Sequence, residues 1–269
     1  MTPPKPPRRA ALLIVTTNLD SGGAEQQLLA VLPALVRRDF DIGVFVLTHP
    51  GALAPQFEAA GVPVFGPSRR LFPAWLSVPF VSAPMLLWHL WRQRPDILHF
   101  VLWPAYTVGG LVSLLAPRTV RVMSRRSLNL YQRRFPWLAR LEHRLHRRMK
   151  AIIGNAEAVL TDLRAEGAPA ERLHLIRNGI DVTRFANADR VAARTGLGID
   201  GDALVMVIVA NLIPYKGHAD LLAALAYVKD RLPRDWHLLC VGHDTGKIGA
   251  ALRQNAVRDG IAGHLHWLG

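Results

Sequence analysis

Three parts of this chain bring together residues suited to holding an anion or a polar ligand. The first is Val209-Ala-Asn-Leu-Ile-Pro-Tyr-Lys-Gly-His218. It joins the apolar run Ala203 to Val209, which reads as a buried parallel strand, to the apolar-periodic stretch Ala219 to Leu232, which reads as a helix. The N–H groups at a helix N-terminus carry partial positive charge, and a lysine beside them completes a seat for phosphate. In open α/β sheets such loops lie at the ligand-binding edge. The second is Ser21-Gly22-Gly23-Ala24-Glu25, between the first strand pattern and the first helix pattern. Two glycines let a backbone approach a ligand closely. The spacing is not G-x-G-x-x-G, and no acidic residue ends the second strand as a dinucleotide fold requires. The third comprises Asp96-Ile-Leu-His99 and Ser124-Arg-Arg-Ser127, each at the end of a strand pattern. Arginines there can fork onto phosphate or carboxylate oxygens. Each segment also has a plain structural reading: a strand-to-helix turn with a solvated lysine, a tight turn, a structural histidine, a solvated basic turn.

The elements that must position these residues alternate strand and helix, which predicts an α/β fold with parallel sheets. Strands are expected at Ala11–Thr17, Ile42–Leu47, Val62–Phe65, Asp96–Val101, Thr119–Met123, Ala151–Gly154 and Arg172–Ile176. Helices are expected at Ala24–Arg38, Leu53–Ala60, near Met85–Gln93, at Val108–Leu115 and at Glu157–Glu166. Asn155 is a candidate cap for the last of these. Leu138, Leu141, Leu145 and Met149 recur at helical spacing with arginines between them, so this stretch reads as an amphipathic helix with a basic face. Asn178-Gly179-Ile180-Asp181 reads as a turn with positive φ at Gly179, and the domain boundary is expected there, between 1–178 and 179–269. A second series then starts at Ala203, with strands at His237–Gly242 and His264–Leu268 and a helix at Ile248–Asp259.

Composition narrows the class. Half of the 269 residues are apolar and 20% are charged, which excludes a disordered chain. The lone cysteine, Cys240, lies in an apolar run and fits a reducing, cytoplasmic compartment. The nearest approach to a membrane span, Leu71–Trp91, is broken by Pro73, Pro79 and Pro84. The net charge of +13 is concentrated: from Arg118 to Lys150 there are ten arginines and one lysine against one acid, Glu142. A basic face of this kind suits an anionic partner, whether phospholipid, a diphosphate-linked substrate or nucleic acid. No nucleic-acid-binding motif is present, and the basic region lacks interleaved aromatics. The histidines at 143, 146, 237, 243, 264 and 266 show no metal-ligand spacing, and those on the basic helix sit beside arginines, so no metal site is expected.

Several of these segments resemble glycosyltransferase family 4. The loop ending in Lys216-Gly217 is similar to that family's V-G-R-L-x-x-x-K-G, with Asn211 where arginine is more frequent. Gly22-Gly23-Ala24-Glu25 is similar to its G-G-A-E loop, Asp96–His99 to its D-[IV]-[IV]-H, and Ser124–Ser127 to an S-R-R-S found in related sequences. Asn178–Asp181 resembles the N-G-[IV]-D that closes the family's first domain.

The resemblance implies a GT-B architecture: two Rossmann-like domains facing a cleft, the second incomplete here. It implies transfer of a sugar, with retention at the anomeric carbon, from a nucleoside diphosphate sugar to a glycan, lipid-linked or envelope-polysaccharide acceptor, without metal or cofactor. Lys216, Gly217, Asn211, Gly22 and Gly23 would then bind donor phosphates, His99 would be the catalytic-site histidine, and Arg125 or Arg126 would contact phosphate or acceptor. With the basic helix and the Trp-rich segment, it suggests a peripheral site on the inner face of the plasma membrane. The family's pair of glutamates eight residues apart would lie beyond Gly269, so a truncated, inactive nucleotide-sugar-binding form is a rival reading. A nucleotide-sugar epimerase of the same architecture is another.

Overall fold

The computed structural model describes residues 9–69, 73–116, 119–127 and 135–269. The basic leader before Arg9, Leu71, and Arg118, Arg133 and Arg134 of the basic run lie outside them. The chain divides into two compact units, Met1–Asp181 and Val182–Gly269, three residues past the expected boundary.

In the first unit, seven parallel strands are ordered β3-β2-β1-β4-β5-β6-β7. They are β1 (Ala11–Thr16), β2 (Asp41–Val46), β3 (Val64–Phe65), β4 (Ile97–Val101), β5 (Val120–Arg125), β6 (Ala151–Gly154) and β7 (Leu173–Leu175). Order reverses between β1 and β4, and at such a switch point the strand ends diverge and leave a crevice for ligands. β1 is central and almost wholly buried, which is why it reads as a continuous apolar run. Its start is tied to β4 by the Ala11 N–H, which donates to Asp96 Oδ2 at 2.9 Å.

Alternation along the strands sends side chains to two layers. Leu12, Ile14, Ile42, Val44 and Val46 pack on Leu28 and Leu32 of α1 (Gly23–Val36) and Phe57 of α2 (Ala54–Ala59). Leu13, Val15, Leu98, Phe100, Met123 and Ile152 form the opposite core with α4 (Ala83–Gln93), α5 (Ala105–Ser113), α6 (Pro136–His146) and α7 (Glu157–Ala165). Pro73 precedes the helical stretch, and Pro79 and Pro84 do not interrupt it. A short α3 (Ala74–Ser77) runs through a π-helical turn, Val78–Ser82, into α4. Such a turn absorbs the missing proline N–H groups, and the Ser82 hydroxyl pins it by donating to the Leu47 carbonyl.

Two local expectations fail. Asn155 does not cap α7: its Oδ1 is buried without a partner, and the cap residue is Ala156. Gly179 does not adopt a positive φ.

The second unit has three parallel strands ordered β10-β9-β8, namely β8 (Leu204–Val209), β9 (Trp236–Val241) and β10 (Leu265–Trp267). α9 (His218–Val228) and α10 (Gly249–Arg258) cover one face through Leu222, Leu225, Trp236, Leu238, Cys240 and Leu252. The run at β8 is therefore not buried on both sides as expected. Met206 and Ile208 face the helices, while Val207 and Val209 are 56% and 77% exposed. A further helix, α8 (Arg190–Gly196), is absent from the sequence expectation. Its signal is Asp189, whose carboxylate accepts the Ala192 N–H at 2.9 Å, an N-cap.

Candidate functional site

At the carboxyl edge of the first unit, the residues on either side of Arg125 project to the α1 side of the sheet. His99 and Ser124 come from neighbouring strands two register positions apart, on the same face of the sheet, and His99 Nε2 lies 2.6 Å from Ser124 Oγ. Burial, and with it the charge of Arg126, lowers the His99 pKa to about 4, so the ring is neutral at pH 7. Arg126 Nη1 lies 3.5 Å from Asn178 Oδ1. These side chains rim a pocket of about 270 Å³ whose walls include Leu28 and Val31 of α1. The sequence-predicted His99 and Arg126 thus share one site, and Ser124 is a member that the sequence reading named only as part of a basic turn.

The Gly22-Gly23 loop is more specific than a plain turn. Gly22 is the N-cap of α1, and a Cβ there would strike the Glu25 carboxylate, which folds back over the helix end. Burial raises the Glu25 pKa, offset in part by a bond to its own backbone N–H and by Arg126. The positive end of α1 is therefore held by the protein's own carboxylate. Gly23 has open space around it, so its backbone is accessible.

The expectation for Arg125 is corrected. Its guanidinium points to the other face of the sheet, where Nη1 and Nη2 donate to the two oxygens of Glu166 at 2.6 and 2.7 Å. Glu142, fully buried on α6, lies 3.8 Å from Nη2. Burial opposes ionisation of Glu166, but hydrogen bonds from His146 and Arg125 outweigh it and hold the carboxyl at about 2. His146 Nε2 lies 3.0 Å from Glu166 Oε2, and the Tyr106 hydroxyl lies 2.7 Å from His146 Nδ1. Burial keeps His146 below its usual pKa. The carboxylate can only accept, so the neutral ring carries its proton on Nε2 and the Tyr106 hydroxyl donates to Nδ1. Arg125 is thus consumed by a buried network.

Arg121 of the run and Arg172 beyond it are also structural. Arg121 donates to the Ser113 and Ala116 carbonyls at the end of α5, and Arg172 to the Arg147 and Met149 carbonyls after α6. Both satisfy carbonyls that a helix end leaves unpaired.

In the second unit, Lys216 closes a 3₁₀ turn, Pro214–Lys216, and Gly217 follows at φ +78° as N-cap of α9. Only glycine adopts that backbone without penalty. The loop rests on Leu212, which is buried, and is braced against the loop after β9. Asn211 Oδ1 accepts the His243 N–H at 3.2 Å, and Leu212 N donates to the His243 carbonyl at 2.9 Å. Gly242 is needed there because a Cβ would run into the Ala210 carbonyl. Asn211 is thus a brace through its oxygen, with its amide donors unengaged among the described residues. Lys216 is exposed, and its Nζ sits 5.3 Å from the Tyr215 ring centroid. No carboxylate within ion-pair distance neutralises it among the described residues. Fixed backbone donors with an unpaired lysine make an anion seat.

A curated D-inositol 3-phosphate glycosyltransferase of Streptomyces bingchenggensis is 29% identical over 238 residues, spanning 80% of this chain and 51% of that protein. A D-inositol 3-phosphate glycosyltransferase of Catenulispora acidiphila is 27% identical over 269 residues, 93% of this chain and 61% of that one. This chain thus spans half to three fifths of the length of these relatives. The crystal structure of Anabaena Alr3699/HepE in complex with UDP and glucose superposes with a TM-score of 0.78 at 23% identity, covering 96% of this chain and 68% of that one. It shares the GT-B fold. The model of Glycosyltransferase Family 4 matches residues 21–184, from the Gly22-Gly23 loop through His99, Ser124 and Arg126 to just past Asn178, and the chain belongs to that family.

Proposed function

We propose that this protein takes part in the transfer of a sugar from a nucleoside diphosphate sugar to a glycan or lipid-linked acceptor, with retention at the anomeric carbon and without a metal. The observation that carries the reading is the Lys216-Gly217 seat at the N-terminus of α9: an unpaired cation beside helix N–H groups, where a leaving diphosphate gains negative charge. The UDP and glucose held by the Anabaena structure support a nucleotide sugar for this chain. Asn211 contributes its amide donors. In the first unit, neutral His99 exchanges hydrogen bonds with sugar hydroxyls rather than carrying charge, and Arg126 and the accessible Gly23 backbone contact the donor or acceptor.

Titration of the protein with UDP-glucose and GDP-mannose, with and without Lys216→Ala, tests this. Loss of Lys216 is expected to weaken binding about tenfold or more, the equivalent of one charge-assisted contact. Equal binding by both forms would remove Lys216 from the site. The configuration of a product sugar, read by NMR, decides retention.

An anionic membrane surface is the proposed location of the acceptor. Trp88 and Trp91 on α4 are 63% and 64% exposed, and Trp137 on α6 is 64% exposed beside Arg140 and Arg144. Helix α5 packs against both α4 and α6, so these rings share one side of the unit. Aromatic rings with arginines fit a headgroup layer. No described helix is long and apolar enough to cross a membrane. Absence of binding to anionic liposomes at low salt would contradict this part.

A further inference from the structure

The network behind β5 has no role in the reading above, yet it grips the residue between two members of the site. Arg125 is flanked by Ser124, which touches His99, and by Arg126, which touches Asn178. By strand alternation its side chain projects to the opposite face, where Glu166 holds it with two hydrogen bonds. Glu166 caps the end of α7, His146 lies on α6 and Tyr106 in the first turn of α5. One chain of hydrogen bonds therefore fastens the last residue of β5 to three helices. An arginine fork held at both nitrogens resists rotation as well as translation. A strand end anchored at residue 125 has little freedom at 124 and 126.

We propose that Glu166 is a positioning residue for the first-unit site: acting through Arg125, it fixes the end of β5 so that Ser124 meets His99 and Arg126 faces Glu25 and Asn178. This rests on the family reading only for what the site binds, because the positioning itself is a property of the fold. With Glu166 neutralised, Arg125 loses its fork partner and keeps the longer contact to Glu142. The end of β5 then loosens, Ser124 parts from His99, and water reaches the ring. His99 does not touch Glu166, so any change in His99 must travel through β5.

The test is the titration of His99 in the full chain, followed by imidazole NMR and assigned by the signal lost in His99→Gln. In the native protein the ring should titrate near 4. In Glu166→Gln it should move toward its ordinary value by about one unit or more, since desolvation and the nearby guanidinium both weaken. A matched core variant, Leu86→Ala on α4, removes packing from the Glu166 side of the sheet without belonging to the network and should leave His99 unchanged. A merely structural Glu166 would lower stability in the same way and leave the His99 titration where it was. A folded Glu166→Gln with His99 still near 4 overturns the proposal. If Glu166→Gln does not fold, Tyr106→Phe carries the test. It keeps every charge and removes one hydroxyl, and it should shift His99 in the same direction by a smaller amount, with an unchanged titration counting against the proposal. Donor binding at Lys216 plays no part in this readout, so failure here and failure of the transferase reading are distinguishable.

Discussion

Arg125 and Lys216 look alike in the sequence: each is a cation at the end of a strand in a loop that resembles a family motif. The fold treats them in opposite ways. Arg125 is buried and its fork is occupied by Glu166, whereas Lys216 is exposed, with an aromatic ring as its nearest partner. The first unit uses its arginine to hold three helices to a strand, and the second leaves its lysine without an ion pair among the described residues. A strand-end cation binds substrate only if no carboxylate reaches it first, and that carboxylate comes here from 41 residues away.

The largest expected consequence is on stability. Arg125→Ala strands Glu166 and Glu142 in the interior and should cost the first unit about 3–5 kcal/mol, while Lys216→Ala should change stability by less than about 0.5 kcal/mol. Urea midpoints for the two variants check this, and equal effects would erase the contrast.

The second unit offers its own contrast. Leu222 is buried between α9 and the sheet, so Leu222→Ala should cost about 2–5 kcal/mol. Val209→Ala, on the exposed face of β8, should cost less than about 0.5 kcal/mol. A large penalty at Val209 would mean that this face is covered in solution.

Acid should weaken the first unit in two stages. The folded His99 pKa is lowered from 6.5 to about 4, so its contribution is complete above pH 6.5 and is lost as pH falls toward 4. Glu166 is lowered from 4.5 to about 2, so its contribution is complete above pH 4.5 and disappears as pH falls through 2. Each shift corresponds to about 3 kcal/mol at most. Urea unfolding at pH 7, 5 and 3 should show the first loss by pH 5 in native protein and a smaller one in His99→Gln, where the buried His146 still contributes.

A modest effect is expected at Gly217. Its φ of +78° makes Gly217→Ala cost about 1 kcal/mol, and the displaced turn should weaken nucleotide binding more than it weakens the fold. Comparison of the binding constant with the urea midpoint separates the two.

Much of this was legible beforehand because a strand buried on both sides, such as β1, reads as an apolar run, and the amphipathic stretch around Leu138 and Leu145 reads at helical spacing. The Lys216 loop was legible for the same reason: strand, glycine and helix are adjacent in sequence. What stayed hidden depends on distant partners. The fate of Arg125 was set by Glu166 and His146, neither of which carries a local signal. Asn155 looked like a cap, but the helix begins one residue later. The apolar run at β8 looked buried, yet its outward side chains have no described layer over them. Helix α8 was missed although Asp189 supplies an N-cap, because its seven residues hold too few apolar positions to show a period.

The most direct test is residue-resolved: a nucleoside diphosphate titrated into the isotope-labelled protein while backbone amide signals are followed. The account predicts the largest shifts at Lys216, Gly217 and His218, with Arg125 and Glu166 unmoved. Shifts confined to Gly22, Gly23 and Arg125, with the Lys216 turn silent, would contradict it.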